Sequence, residues 1–177
     1  MANQSQTETL SFPQAIAATQ SLMNKISANQ LSEAEIQQQI SSIFKSKNGG
    51  RGFFVSYLTS ESPLADCPST GVIDGLKSAN QVTSELLVKN LAMSSAMAIV
   101  HARNSERDNL EGSQKVERRT RHLIQKIDSK AVKEELQKLQ HTIKTGKGEY
   151  TDFLDRWSYD IEQKQAIQKA ISNAIVS

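Results

Sequence analysis

Apolar positions recur every three or four residues over most of the chain, a spacing typical of helices that turn one face to a core. The first such helix begins after Ser11, with Pro13 in its first turn, where a missing N–H costs little. The second begins after Ser32, and Glu35 three residues later matches a capping box. The pattern predicts an all-α protein.

The longest periodic stretch runs from about residue 72 to residue 102 and contains no proline. Its part from 91 to 100 is apolar or small on nearly all sides, and a helix of that kind is buried. We predict a single-domain bundle of about five to six helices around this central helix, spanning residues 11–177. Residues 1–10 are polar and aperiodic, which predicts a disordered tail.

Three polar residues, Asn80, Thr83 and Asn90, interrupt the apolar stripe of the predicted central helix. Buried polar side chains are nearly always hydrogen-bonded. These three either bond within the core and fix helix register, which is the more common arrangement, or line a polar pocket that holds a ligand. The sequence does not separate the two interpretations.

Residues 49–70 lack a clear period and are predicted to be irregular. The run at 53–58 is aromatic and β-branched, which favours a strand, but no second strand is available to pair with it. It is a short buried helix, a lone extended segment, or an edge that pairs with another chain. The last alternative makes Phe53, Phe54 and Tyr57 interface candidates.

The more highly charged second half predicts three helices, of which one ends near Ile127 and the next spans about 131–144. The last begins near Thr151 and is expected to bury one apolar stripe. The members of this stripe are Leu154, Trp157, Ile161, Ile167, Ile171 and Ile175. Tyr159 lies off it and is predicted to be exposed, so it is a further interface candidate.

Composition excludes several classes of protein. The single cysteine, Cys67, cannot form an internal disulfide, and no basic segment followed by an apolar run opens the chain. The most apolar run without a Lys, Arg, Asp or Glu, 90–102, would make a helix of about 20 Å, shorter than a hydrocarbon core of about 30 Å. We therefore expect a cytoplasmic protein without a membrane segment, and a net charge of +2 implies no nucleic acid by itself.

A basic helix face is the strongest charge feature. Its members, spaced by three and four residues, are Lys115, Arg118, Arg119, His122 and Lys126. This face either grips phosphates or an acidic partner, or is a solvated surface neutralised by Glu111, Glu117 or the last helix. The second interpretation is favoured because no aromatic residues for base stacking lie nearby.

Further ligand-binding candidates lie at two places. His101, Arg103 and Asn104 come at the end of the predicted central helix, where a base and a carboxylate-binding cation would be neighbours. Arg51 lies in the run Gly49–Gly52, which resembles an anion-binding turn but lacks the P-loop ending. The three histidines are too far apart in sequence for a metal motif, and no cofactor follows from the sequence.

No catalytic motif is present, so the leading hypothesis is a non-enzymatic helical module that binds a protein partner or forms a homo-oligomer. The first alternative is a small-molecule-binding protein or enzyme, with a pocket between the central helix and residues 49–70. The second alternative is nucleic-acid binding through the basic face at 115–126.

Overall fold

The computed structural model describes residues 9–175, which form nine α-helices and one short 3₁₀-helix at Pro63–Ala65, with no strand among them. The helices are α1 (Phe12–Ser27), α2 (Glu33–Ile43), α3 (Lys47–Thr59), α4 (Thr70–Ser78), α5 (Asn80–Arg103), α6 (Arg107–Ile127), α7 (Lys130–Thr145), α8 (Thr151–Trp157) and α9 (Ile161–Ile175). The all-α prediction is confirmed, but the expected number of helices was too low. The predicted tail at 1–10 lies largely outside the described residues.

The helix starts follow the local signals of the sequence. Ser11 and Ser32 both form capping boxes, the first with Gln14 and the second with Glu35. The backbone N–H of Ser32 donates to the Glu35 carboxylate at 2.8 Å. These bonds satisfy donors that the first helical turn leaves free, which is why α1 and α2 begin where the pattern predicts.

The predicted single helix at 72–102 is two helices, because the chain leaves helical geometry at Ala79. The Thr83 hydroxyl donates to the Leu76 carbonyl at 2.8 Å and so satisfies a carbonyl near the break. Helix α4 packs against α2, where Gly75 lies so close that an added Cβ would be 2.7 Å from the Cβ of Ile40. Helix α5 packs instead against α6, α7 and α9.

Residues 47–59, which include the aromatic run, form helix α3 rather than irregular chain. Phe53, Phe54 and Tyr57 are only 1–2% exposed, and the Phe53 and Tyr57 rings stack at 5.1 Å. The buried-helix alternative is therefore the one observed, and these three side chains offer no surface to a partner. Packing overrides the strand propensity of the run. The irregular part of 49–70 shrinks to the connection 60–69.

The predicted last helix is also interrupted, at Ser158, whose φ of 47° ends α8. The turn rotates the residues that follow it relative to those that precede it, so the apolar stripe does not continue at the predicted spacing. Tyr159 is therefore buried rather than exposed, while Trp157 and Ile161 are 47% and 77% exposed. The expected burial of these two residues and of Ile175 was wrong, whereas Leu154, Ile167 and Ile171 lie in the core as predicted.

Candidate ligand-binding cleft

A cleft of about 690 Å³ opens along one face of α5. Gln81, Glu85, Lys89 and Met93 line it at four-residue intervals, the spacing that places side chains on one helix face. The other lining residues come from the start of α1, from α3, and from α7, α8 and the turn between them. Because α5 packs against both α3 and α7, these helices form two flanks with α5 at the bottom.

The apolar part of the cleft includes two exposed large side chains. Its members are Phe12, Val55, Leu86, Met93, Phe153 and Trp157. Trp157 is the only tryptophan of the chain, and it and Val55 are two of the four large apolar side chains that are exposed among the described residues. Large apolar side chains gathered at one concavity mark a binding site more often than scattered ones do.

Part of the charge in the cleft is internally neutralised. The Lys47 ammonium lies 2.8 Å from the Glu85 carboxylate, and its hydrogen bond holds the pKa of Glu85 below the usual value. The Lys138 ammonium lies between two carboxylates, 2.8 Å from Glu135 and 3.0 Å from Glu149. These five residues form two separate ion-paired groups.

Three cations in the cleft are not paired in this way. Arg51, Lys89 and Arg156 make no ion pair with any residue between 9 and 175, and neither does Asp152. The guanidinium of Arg51 lies 5.5 Å from the centre of the Phe12 ring, a cation–π contact that leaves its N–H donors available. The cleft thus presents more free positive than free negative charge.

Glu135 and Tyr150 form the most buried polar contact of the cleft. The Tyr150 hydroxyl donates to the Glu135 carboxylate at 2.6 Å, and Glu135 is 5% exposed. Burial, together with this hydrogen bond, raises the pKa of Tyr150, which therefore stays a neutral donor. The sequence analysis missed both residues, although Glu135 lies three residues after Val132 and four before Leu139, on the inner face of α7.

Residues 11–174 match the protein family described as Uncharacterised conserved protein UCP020893. The chain belongs to this family. The matched family region extends from Ser11, which caps α1, almost to the end of α9, so it includes every helix that lines the cleft. No curated protein and no solved structure matches the chain.

Of the four predicted ligand-binding residues, only Arg51 lines the cleft. His101 lies 2.5 Å from the Glu106 carboxylate, and Asn104 donates to the same carboxylate at 3.5 Å, so both side chains bond to the turn between α5 and α6. Arg103 binds Asp160 at 2.6 Å and also binds Glu162, which ties α5 to α9. Neither His101 nor Arg103 lines the cleft, and their assignment as ligand-binding residues stays a prediction.

The predicted basic face loses its central member. Arg119 is 3% exposed and points inward, where its guanidinium makes two 2.8 Å bonds to the Asp66 carboxylate. It also donates to three backbone carbonyls at the end of α3 and just beyond, those of Leu58, Ser60 and Ser62. Arg119 was wrongly assigned to a solvent face, and it anchors the connection 60–69 to α6.

The other members of that face remain at or near the surface. Lys115 is paired with Glu61 at 2.6 Å, while Arg118 and Lys126 are exposed and His122 is half-buried. The neutralising carboxylates come from the connection 60–69. The expected ones, Glu111 and Glu117, instead pair with Arg107 and Arg121.

The polar residues of the predicted central helix have separate roles. Thr83 bonds across the α4–α5 break, Asn80 is exposed and so does not lie in the core, and Asn90 lines the cleft. No helix of the described region is long and apolar enough to cross a membrane. Within residues 9–175, no group of three or more His, Cys, Asp or Glu side chains is arranged to hold a metal ion.

Proposed function

We propose that the protein is a non-enzymatic binding protein whose cleft takes a small organic ligand with an apolar or aromatic body and an anionic group. The observation that carries the proposal is the meeting of the exposed Trp157 with Arg51, Lys89 and Arg156, three cations that make no ion pair within residues 9–175. Apolar contact would supply most of the affinity, and the cations would select ligands by charge.

The size of the cleft favours a small molecule over a partner helix. Sites for small ligands typically measure about 300–1,000 Å³, and the cleft has about 690 Å³. Three turns of a helix about 10 Å across and 16 Å long would occupy on the order of 1,200 Å³. The cleft also lies between α5 and α3, close to the position that the sequence analysis gave to the pocket of its first alternative.

Protein–protein interaction is the second candidate, and the adjacent Arg156 and Trp157 at the cleft favour it because both residue types are enriched in interface hot spots. Its original support, an unpaired segment at 53–58, is lost because that segment lies in the core. Light scattering on a sizing column would test self-association. A mass that stays monomeric as concentration rises would count against a homo-oligomer.

Because Trp157 is the only tryptophan, its fluorescence reports on the cleft alone. We suggest the anionic aromatic dye 8-anilinonaphthalene-1-sulfonate as the probe. Energy transfer from Trp157 to the dye is expected to saturate at one dye per chain. The double variant R51Q/K89Q should bind the dye several-fold more weakly, since both cations lie in the cleft.

The control is K130Q, which removes one of the two kinds of charge lost in the double variant, from a lysine side chain that is 90% exposed and does not line the cleft. It should bind the dye as the native chain does. Energy transfer that does not saturate, or that is equal in the double variant and the native chain, would contradict the proposal.

A further inference from the structure

The charges of the cleft are segregated between its two flanks. The α3 flank contributes two cations, Lys47 and Arg51, and no carboxylate. The opposite flank contributes three carboxylates, Glu135, Glu149 and Asp152, against two cations. The bottom, formed by α5, contributes one charge of each sign. The cleft is therefore positive on one side and negative on the other.

Internal pairing does not remove this asymmetry. On the negative flank Lys138 serves both Glu135 and Glu149, so one cation neutralises two carboxylates. Asp152 and Arg156 on the same flank have no ion-pair partner between residues 9 and 175 and offset each other in charge, so this flank keeps one net negative charge. Across the cleft, Arg51 also has no ion-pair partner between residues 9 and 175. In a cleft with low-dielectric walls, such separated charges focus opposite potentials at the two flanks.

Glu135 also has unused capacity to accept hydrogen bonds. Its carboxylate receives one bond from the Tyr150 hydroxyl and one from the Lys138 ammonium. An ionised carboxylate has about four lone-pair positions, so about two remain. A ligand amine that reaches this flank can use them and would replace water there with a charge-assisted bond.

We propose that the ligand is a zwitterion, which deepens the proposed function and rests on it. The anionic group faces Arg51 and the amine faces Glu135 and Asp152, while the apolar body lies over Met93 and Trp157. An apolar amino acid or short peptide with free amino and carboxylate ends has this chemistry. A ligand with only one charge would leave one flank of the cleft unpaired.

The test uses three matched probes that differ only at their ends: the dipeptide Phe-Phe, its N-acetyl form and its C-terminal amide. Each is titrated against the fluorescence of Trp157. The free dipeptide is expected to bind about tenfold more tightly than either blocked form, because each block removes one charge.

Two variants assign the ends. The double variant E149Q/D152N should reduce the advantage of Phe-Phe over the N-acetyl form, because the flank loses two charges while Glu135 keeps its own, and should keep the advantage over the amide. R51Q should do the reverse. All three altered residues are exposed, so the variants are expected to fold, which circular dichroism checks, and K130Q again serves as the control.

The outcomes separate this inference from the proposed function. If the N-acetyl form binds as tightly as the free dipeptide, the zwitterion inference is wrong and an anionic ligand still stands. If none of the three peptides binds while the naphthalenesulfonate dye does, the inference is also wrong. If the dye fails as well, the proposed function falls with it.

Discussion

The buried side chain of Arg119 donates hydrogen bonds to backbone carbonyls that no helix satisfies. Beyond the end of α3 the carbonyls of Ser60 and Ser62 have no helical partner, and the Arg119 guanidinium donates to both. It also binds both oxygens of the Asp66 carboxylate, a bidentate contact that the fork of an arginine provides and a lysine does not. One residue of α6 thereby fixes the course of the connection 60–69.

We expect R119A to lower the free energy of unfolding by roughly 2–4 kcal/mol, because the variant leaves carbonyls without donors and Asp66 without its partner. R119K should lose less, since it keeps the charge but not the fork. Urea denaturation measures both effects. The control is R118A, which alters an exposed neighbour and should change stability by less than about 0.5 kcal/mol. Equal effects of R119A and R118A would refute this role.

The sequence contained a signal for the inward position of Arg119 that the charge pattern concealed. Arg119 lies three residues after Val116 and four before Leu123, and both of these lie on the inner face of α6. Its spacing fits the basic face equally well, because a residue at the border between two faces of a helix lies three or four residues from members of both faces. What decided its direction was Asp66, a partner 53 residues away that periodicity does not identify.

At the scale of helices, periodicity and capping predicted the starts of α1 and α2 and the ends of α6 and α7, but not the interruptions. The break at Ala79 contains no proline or glycine, and it separates α4, which packs on α2, from α5, which does not. Helix α3 was predicted only as one of three alternatives for 53–58, because that aromatic and β-branched run favours a strand. Ser46, whose hydroxyl accepts the Gly49 N–H at 3.0 Å, was its available start signal.

Two glycine substitutions should have opposite effects. At Gly52, where α1 and α3 touch, an added Cβ would lie 2.5 Å from the Cβ of Ala15, so G52A should destabilise the protein by about 1–3 kcal/mol. At Gly112 on α6 nothing lies within 4 Å of the added Cβ. G112A should therefore stabilise by about 0.5–1 kcal/mol through helix propensity. Thermal unfolding measures whether each variant is more or less stable than the native chain. A stabilising G52A would show that the two helices can separate at little cost.

The stability that the contact between α5 and α9 contributes should decrease at acid pH. Hydrogen bonds from Arg103 lower the pKa of Asp160 to about 2 in the folded protein, below the value of about 3.9 for an unfolded aspartate. The carboxylate therefore contributes stability above about pH 4 that is lost as the pH falls towards 2. The melting temperature of D160N should fall less steeply than that of the native chain over this interval. Parallel curves for the two proteins would mean that the pair contributes nothing.

At the scale of the whole molecule, the cleft exists only because distant parts of the chain converge. Its lining extends from Phe12 to Trp157 and uses five helices. Sequence periodicity indicates which face of a helix is apolar, but it does not indicate the distance between two helices. Arg51 was identified because a glycine-rich run drew attention to it. Lys89 and Arg156, which belong to the same site, resemble ordinary surface charges in the sequence.

A ligand that occupies this cleft should stabilise the whole fold, because it binds the folded chain and finds no assembled site in the unfolded one. At about one hundred times its dissociation constant, such a ligand adds about 2.7 kcal/mol to the free energy of unfolding. For a chain of this length that corresponds to a rise in melting temperature of roughly 5–10 °C. Scanning calorimetry with the naphthalenesulfonate dye or Phe-Phe would measure the rise.

The comparison that decides the site is made at one fixed ligand concentration. The rise should shrink in R51Q/K89Q and stay unchanged in K130Q, since only the first variant alters the lining of the cleft. The melting temperature of each variant is also measured without ligand, so that any change in the stability of the variant itself is subtracted. A rise of equal size in all three proteins would place the ligand elsewhere on the surface, because a site that lacks both cations cannot retain the same affinity for an anion.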